Sequence, residues 1–146
     1  LPTTLTYGGN IAEPNPAPTR TGHTFHGWYN NAAFTGAAIT FPITNVTANT
    51  TLWARWTPST YTITYNLDGG TLPTGSWNSY TFGTGLTLPT PIRASHNFGG
   101  WFDNAGLTGT AITTISATDT GNRTFWAAWN PIAVTGVTLN LANTFF

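Results

Sequence analysis

Two sets of residues in this sequence are chemically versatile: a few ionisable side chains and seven tryptophans. The carboxylates are Glu13, Asp68, Asp103 and Asp119, and His23 and His26 are spaced as His-x-x-His. General acid–base pairs and glycosidase dyads need two carboxyls converging on one point. Asp68 instead stands in an Asp-Gly-Gly turn, where an Asx side chain caps backbone amides. Glu13 lies in a Pro-rich stretch and Asp119 in a polar loop. The histidine pair invites a zinc reading, but on a strand residues three apart point to opposite faces. No Ser/His/Asp arrangement and no phosphate-cradling glycine loop stands out. The chain has no Cys, so thiolate metal sites and disulfides are excluded. These residues predict no catalytic site, no metal and no cofactor.

The tryptophans are a different matter. A buried Trp fills a small core, whereas an exposed one beside Asn and Thr is a flat surface on which a sugar ring can stack. Strict alternation along the strands places Trp56 and Trp129 in the core and leaves Trp28, Trp101, Trp53 and Trp126 at least partly exposed. Trp77, in a Gly-Ser-Trp-Asn-Ser loop, has no repeat partner. Trp77, Trp28, Trp101, Trp53 and Trp126 are therefore the candidate ligand-binding residues.

The elements that must position these residues come as a repeat. Pro18-Thr19-Arg20 through Phe25-His26-Gly27-Trp28-Tyr29 matches Pro91-Ile92-Arg93 through Phe98-Gly99-Gly100-Trp101-Phe102, 73 positions later. The offset holds through Trp53/Trp126, Trp56/Trp129 and Pro58/Pro131. Asn30 replaces Asp103 and Gly99 replaces His26 across the copies, whereas His23 and His96 recur beside a loop that they are expected to hydrogen-bond. Arg20 and Arg93 recur too, suited to packing across an aromatic face.

The domain reading is a first module at 1–58, a second at 59–131, and a tail, 132–146, that opens a further β unit or supplies a donated strand. Tyr61, Ile63, Tyr65 and Leu67 alternate with polar residues as the opening strand of the second module. Its counterpart in the first would fall before Leu1, so that module lacks the strand or borrows one. The segment Val137 to Leu141 has the alternation to donate it. One helical turn is expected within Ala32 to Thr40; everything else reads as mainly β.

Charged residues make up 5% of the 146, with zero net charge. A phosphate backbone or an anionic membrane surface requires basic clusters that four scattered arginines do not supply. Disorder is excluded by 40% hydrophobic and 14% aromatic content. The lack of Met suggests a processed chain or an excised segment, and no apolar run reaches the ~18 residues of a membrane span. A Thr- and Asn-rich surface without Lys points to an extracellular setting. Three Asn-x-Thr triplets are treated as surface loops.

The run Tyr61 to Asp68-Gly69-Gly70, then Leu88-Pro89-Thr90-Pro91, Phe98-Gly99-Gly100-Trp101-Phe102 and Trp126-Ala127-Ala128-Trp129, resembles the Listeria–Bacteroides repeat of internalins and other bacterial surface proteins. The resemblance covers about residues 60 to 131, and again about Leu5 to Pro58 without the leading strand. It implies tandem β-grasp-like modules of a secreted or surface-anchored protein, and no catalytic residues. Val134 to Leu139 is similar to the opening strand of bacterial Ig-like domains. The functional expectation is a non-catalytic stalk or spacer with adhesive surfaces, partnered by neighbouring domains and by a host protein or glycan. The alternative is a carbohydrate-binding module, and a more distant one is a strand-donating filament subunit.

Overall fold

Alternating stretches rich in Thr, Ile and aromatics form the strands, and Gly- and Pro-rich stretches form the turns between them. The computed structural model describes residues 4–136. These contain, in chain order, β1 (Gly9–Ile11), β2 (His23–Tyr29), β3 (Ile43–Val46), β4 (Trp53–Pro58), β5 (Thr60–Asn66), β6 (Ser79–Thr81), β7 (Leu86–Thr87), β8 (His96–Phe102), β9 (Thr114–Ile115) and β10 (Arg123–Pro131). No described residue is helical, so the mainly β expectation holds. The tail segment Val137 to Leu141, read as a strand, lies outside the described residues.

The helical turn expected within Ala32 to Thr40 is not formed. Asn31 organises that loop instead: its Oδ1 accepts from the Thr35 N–H at 3.1 Å and hydroxyl at 3.2 Å, and its Nδ2 donates to the Thr35 carbonyl at 3.1 Å. Asn104 ties Thr108 in the same way. An amide side chain bonding locally to backbone offers the chain an alternative to a helical turn, and here it wins.

The chain divides into two compact units. One comprises Leu1–Thr62, Ser79–Leu86 and Ser116–Asn122. In it β2 pairs antiparallel with β4, from His23 opposite Pro58 to Tyr29 opposite Trp53. β1 pairs antiparallel with β3, and the first residues of β5 pair with β6, Thr60 opposite Thr81. Phe25 packs on Trp28 and Trp56 at centroid distances of 5.8 and 5.1 Å. Tyr29 is buried, and its hydroxyl accepts from Arg55 Nη1 at 3.3 Å, with the guanidinium carbon 5.7 Å from the ring centre. The Ser59 N–H donates to the Gly22 carbonyl and the Phe82 N–H to the Ser59 carbonyl, both at 2.9 Å. The Phe82 ring meets His23 edge-on at 5.3 Å. Tyr80 is buried and donates its hydroxyl to the Gly121 carbonyl at 2.6 Å.

The other unit comprises Ile63–Asn78, Thr87–Ile115 and Arg123–Phe146. Strand β10 is central there. It pairs parallel with β5, Ile63 opposite Arg123 through Asn66 opposite Trp126, and antiparallel with β8, Phe102 opposite Trp126 through His96 opposite Pro131. Ile63, Leu88, Trp101, Ile115, Phe125 and Ala127 make the buried core. Phe125 and Ala127 lie two apart on one face of β10, as the alternation predicts.

Candidate functional site

Strict alternation fails at one point in each repeat, and that point decides where two tryptophans go. The β2–β4 register shifts between Phe25 and Trp28, and the β8–β10 register shifts between Ala128 and Trp129. These are β-bulges, each inserting a residue that turns the rest of the strand to the opposite face. Gly27 (φ 103°) and Gly100 (φ 119°) adopt the backbone the bulge needs. Residues three apart, Phe25 and Trp28, or Phe98 and Trp101, then share a side, the latter with centroids 5.3 Å apart.

The exposure expected at Trp101 is therefore corrected: it is 1% exposed and donates Nε1–H to the Pro89 carbonyl at 2.7 Å. A ligand has no access to that ring. Trp129, expected in the core, is half-buried, packs on Phe98 at 5.6 Å and donates to the Leu67 carbonyl at 2.8 Å. Trp126 is half-buried, Trp53 is 36% exposed, and Trp77 is 65% exposed in its loop. Trp28 is half-buried, and its Nε1–H is shielded without a hydrogen-bond partner.

The ionisable side chains hold loops. Arg93 donates Nη1–H to Asp68 at 2.9 Å and lies over the Trp129 ring at 5.9 Å, the aromatic packing expected for it. The Asp-Gly-Gly turn is closed by backbone, Gly70 N–H to the Leu67 carbonyl. Asp103 accepts from Asn104 Nδ2 as Asn30 accepts from Asn31, so the same loop forms with or without the charge. Asp119 accepts from the Ser116 N–H, and Glu13 is exposed. His23 and His96 donate Nδ1–H to the carbonyls of Thr21 and Ala94, whereas His26 pairs with the Thr57 hydroxyl at 2.7 Å. Among the described residues no three of His, Asp and Glu gather as a metal site, and no helix is long and apolar enough to cross a membrane. Burial pushes the Tyr65 phenol above its usual pKa.

The largest concavity is not legible from any motif. A groove of about 1060 Å³ in the first unit is walled by Leu5, Ile11, Trp28, Phe41, Val46 and Leu52. Of these only Trp28 is a candidate by sequence. The signal that points to the groove is the repeat offset, which leaves the first copy without a counterpart of β5.

Known proteins share this pattern. Residues 1–55 and 61–128 each match the Listeria-Bacteroides repeat domain. A protein of Evansella cellulosilytica described as a Gly-rich membrane protein is 34% identical over 124 residues, 84% of this chain and 14% of the relative. A second, described as a membrane protein of the same organism, is 35% identical over 103 residues, 70% of this chain and 15% of its own. Internalin H of Listeria monocytogenes is 37% identical over 105 residues, 69% of this chain and 18% of the relative. The chain thus spans less than a fifth of these relatives. No solved structure matches it significantly.

Proposed function

The chain belongs to the Listeria-Bacteroides repeat family, and from that footing we propose that it is a non-catalytic repeat segment of a bacterial cell-surface or secreted protein, working outside the cell as a stalk or spacer. Its modules are residues 1–58 and 59–131, and its partners are the neighbouring domains of the same protein. What carries this reading is where the repetition is kept. Phe25, Trp28 and Trp56 pack together in one copy, as Phe98, Trp101 and Trp129 do in the other. The repeated residues are interior ones, which is what an array of similar modules needs in order to fold and stack. The carboxylates and histidines engage turns and loops and do not converge on a point where a substrate could react.

The test is geometric. Chains carrying two, four and six repeats are expected to lengthen by a constant increment in small-angle scattering. Collapse into a compact particle of near-constant diameter sinks the stalk reading.

One observation favours an added adhesive role, with a glycan or host protein as ligand. Trp77 is 65% exposed between Ser76 and Asn78, a ring flanked by neutral hydrogen-bonding side chains. Trp53, Trp126 and Trp28 are further candidates on this reading. Titrating polysaccharides and matrix proteins against tryptophan fluorescence should give a saturable shift that Trp77→Ala removes without loss of folding. A flat response across the panel leaves the stalk alone.

A further inference from the structure

We propose that the groove of the first unit is a strand-acceptor site, which takes an extended peptide of the pattern Tyr-x-Ile-x-Tyr in parallel beside residues 50–53. This holds whether the repeat is a spacer or a binding module.

The argument rests on comparing equivalent positions. In the second unit β5 lies parallel to β10, Ile63 to Asn66 opposite Arg123 to Trp126. Tyr65 thereby stacks on Trp101 at 4.9 Å and on Phe125 at 6.3 Å, and Trp101, Phe125 and Ile63 are all buried. Subtracting the offset of 73 converts Arg123–Trp126 into Thr50–Trp53, Trp101 into Trp28, and Phe125 into Leu52. Trp28 and Leu52 are the equivalent apolar surfaces, and both line the groove.

Three differences between the copies mark the groove as made for a strand. First, β10 begins at Arg123, whereas β4 begins only at Trp53. The residues not extended into strand, 50–52, are those whose counterparts pair with β5. A backbone edge with unpaired N–H and C=O groups is a template for another strand. Second, Trp101 is 1% exposed and its N–H is bonded, while Trp28 is half-buried and its N–H has no partner. Third, the groove walls are apolar on the Trp28–Leu52 side, with Thr47, Asn49 and Thr50 along its rim. That combination suits strand addition, in which main-chain bonds give affinity and pockets for alternate side chains give specificity.

The occupant is fixed by the same comparison. A Tyr at the position of Tyr65 would cover Trp28 and Leu52, and an Ile at that of Ile63 would pair with Thr50. The chemistry required is thus that of β5 itself: an uncharged extended segment with large apolar residues at every second position.

The experiment uses the full chain and a synthetic peptide with the sequence of residues 60–70. Titration should give a saturable blue shift of tryptophan emission, and hydrogen exchange should show new protection at the amides of residues 50–53. A peptide with Ala in place of the residue matching Tyr65 should bind at least tenfold more weakly. Leu52→Glu, if circular dichroism shows it folded, should abolish binding; the peptide variant decides the matter if it does not fold. Absence of saturation, equal binding by the Ala peptide, or protection appearing only at residues 123–126 overturns the proposal. So does equal or stronger protection of 50–53 by a peptide of residues 137–141, because the occupant would then be of another pattern.

Discussion

The ring of Phe82 lies against Gly22 so closely that a Cβ on Gly22 would overlap it, and Gly22 holds φ at 67°. Here a missing side chain makes room for an aromatic one. Gly22→Ala should therefore destabilise by about 2–4 kcal/mol, combining the left-handed backbone penalty with overpacking. Phe82→Ala removes the obstacle, so Gly22→Ala made in that background should cost only about 1–2 kcal/mol. A double-mutant cycle in urea tests this. Additive losses would mean that the contact does not couple the two residues.

The bulge glycines make a second, graded case. A Cβ on Gly100 would stand 2.6 Å from the Ala111 Cβ, and one on Gly27 would stand 2.9 Å from the Ala38 Cβ. Both substitutions should destabilise by about 2 kcal/mol or more, with Gly100→Ala the more severe. Ala111→Gly should recover part of the loss in Gly100→Ala. Thermal melts of the four variants give the ranking; an unchanged Tm for Gly100→Ala would refute the bulge account.

Tyr65 carries the pH dependence. Its phenol is pushed up by burial, so the folded state favours the protonated form. The stability this confers is complete below the ordinary tyrosine value of about 10 and is lost as pH rises through the higher folded value. Melting temperature is expected to fall above pH 10, and less steeply in Tyr65→Phe. At neutral pH the same variant removes a buried hydroxyl that has no partner, so it should be neutral or stabilising by about 1 kcal/mol. A clear loss of stability would show that the hydroxyl is bonded after all.

The Asp68–Arg93 pair should matter little by charge. The two side chains are 79% and 28% exposed, and exposed pairs contribute about 0–1 kcal/mol. Asp68→Asn, which tolerates the positive φ of 44° at that site, should lose less than about 1 kcal/mol, and nothing in 1 M salt. Arg93→Ala should lose more, because it also uncovers the Trp129 ring. Equal losses at low and high salt for Asp68→Asn would contradict a screened pair.

Much of this architecture is legible in the order of residues. Alternation places Phe125 and Ala127 in the core and Tyr61, Ile63 and Tyr65 on one strand face, and the 73-residue offset shows the duplication. The error over Trp101 has a definite cause. Alternation assumes one residue per step, and a bulge adds a step that nothing in the aromatic pattern announces; only the Gly before each Trp hints at it. At Asn31 the Ala-containing composition of the loop suggests a helical turn, while a single amide side chain decides otherwise. The groove is visible only by asking what the first copy lacks, which is a question about position and not about motif.

The two copies also differ by a matched exchange whose consequence lies in folding. Arg55 donates to the Tyr29 hydroxyl and lies near its ring; at the equivalent positions stand Ala128 and Phe102, neither of them able to hydrogen-bond through its side chain. Neighbouring repeats with similar strands invite a strand of one to pair with a strand of the other while the chain is still collapsing. Were β4 to settle on β8, Arg55 would face a ring with no hydroxyl. Were β10 to settle on β2, the buried Tyr29 hydroxyl would lose the Arg55 donor. Each mispairing forfeits about 1 kcal/mol or more relative to the native pairing. One polar pair kept in one copy and erased from the other thus lets each strand tell its own partner from its neighbour's.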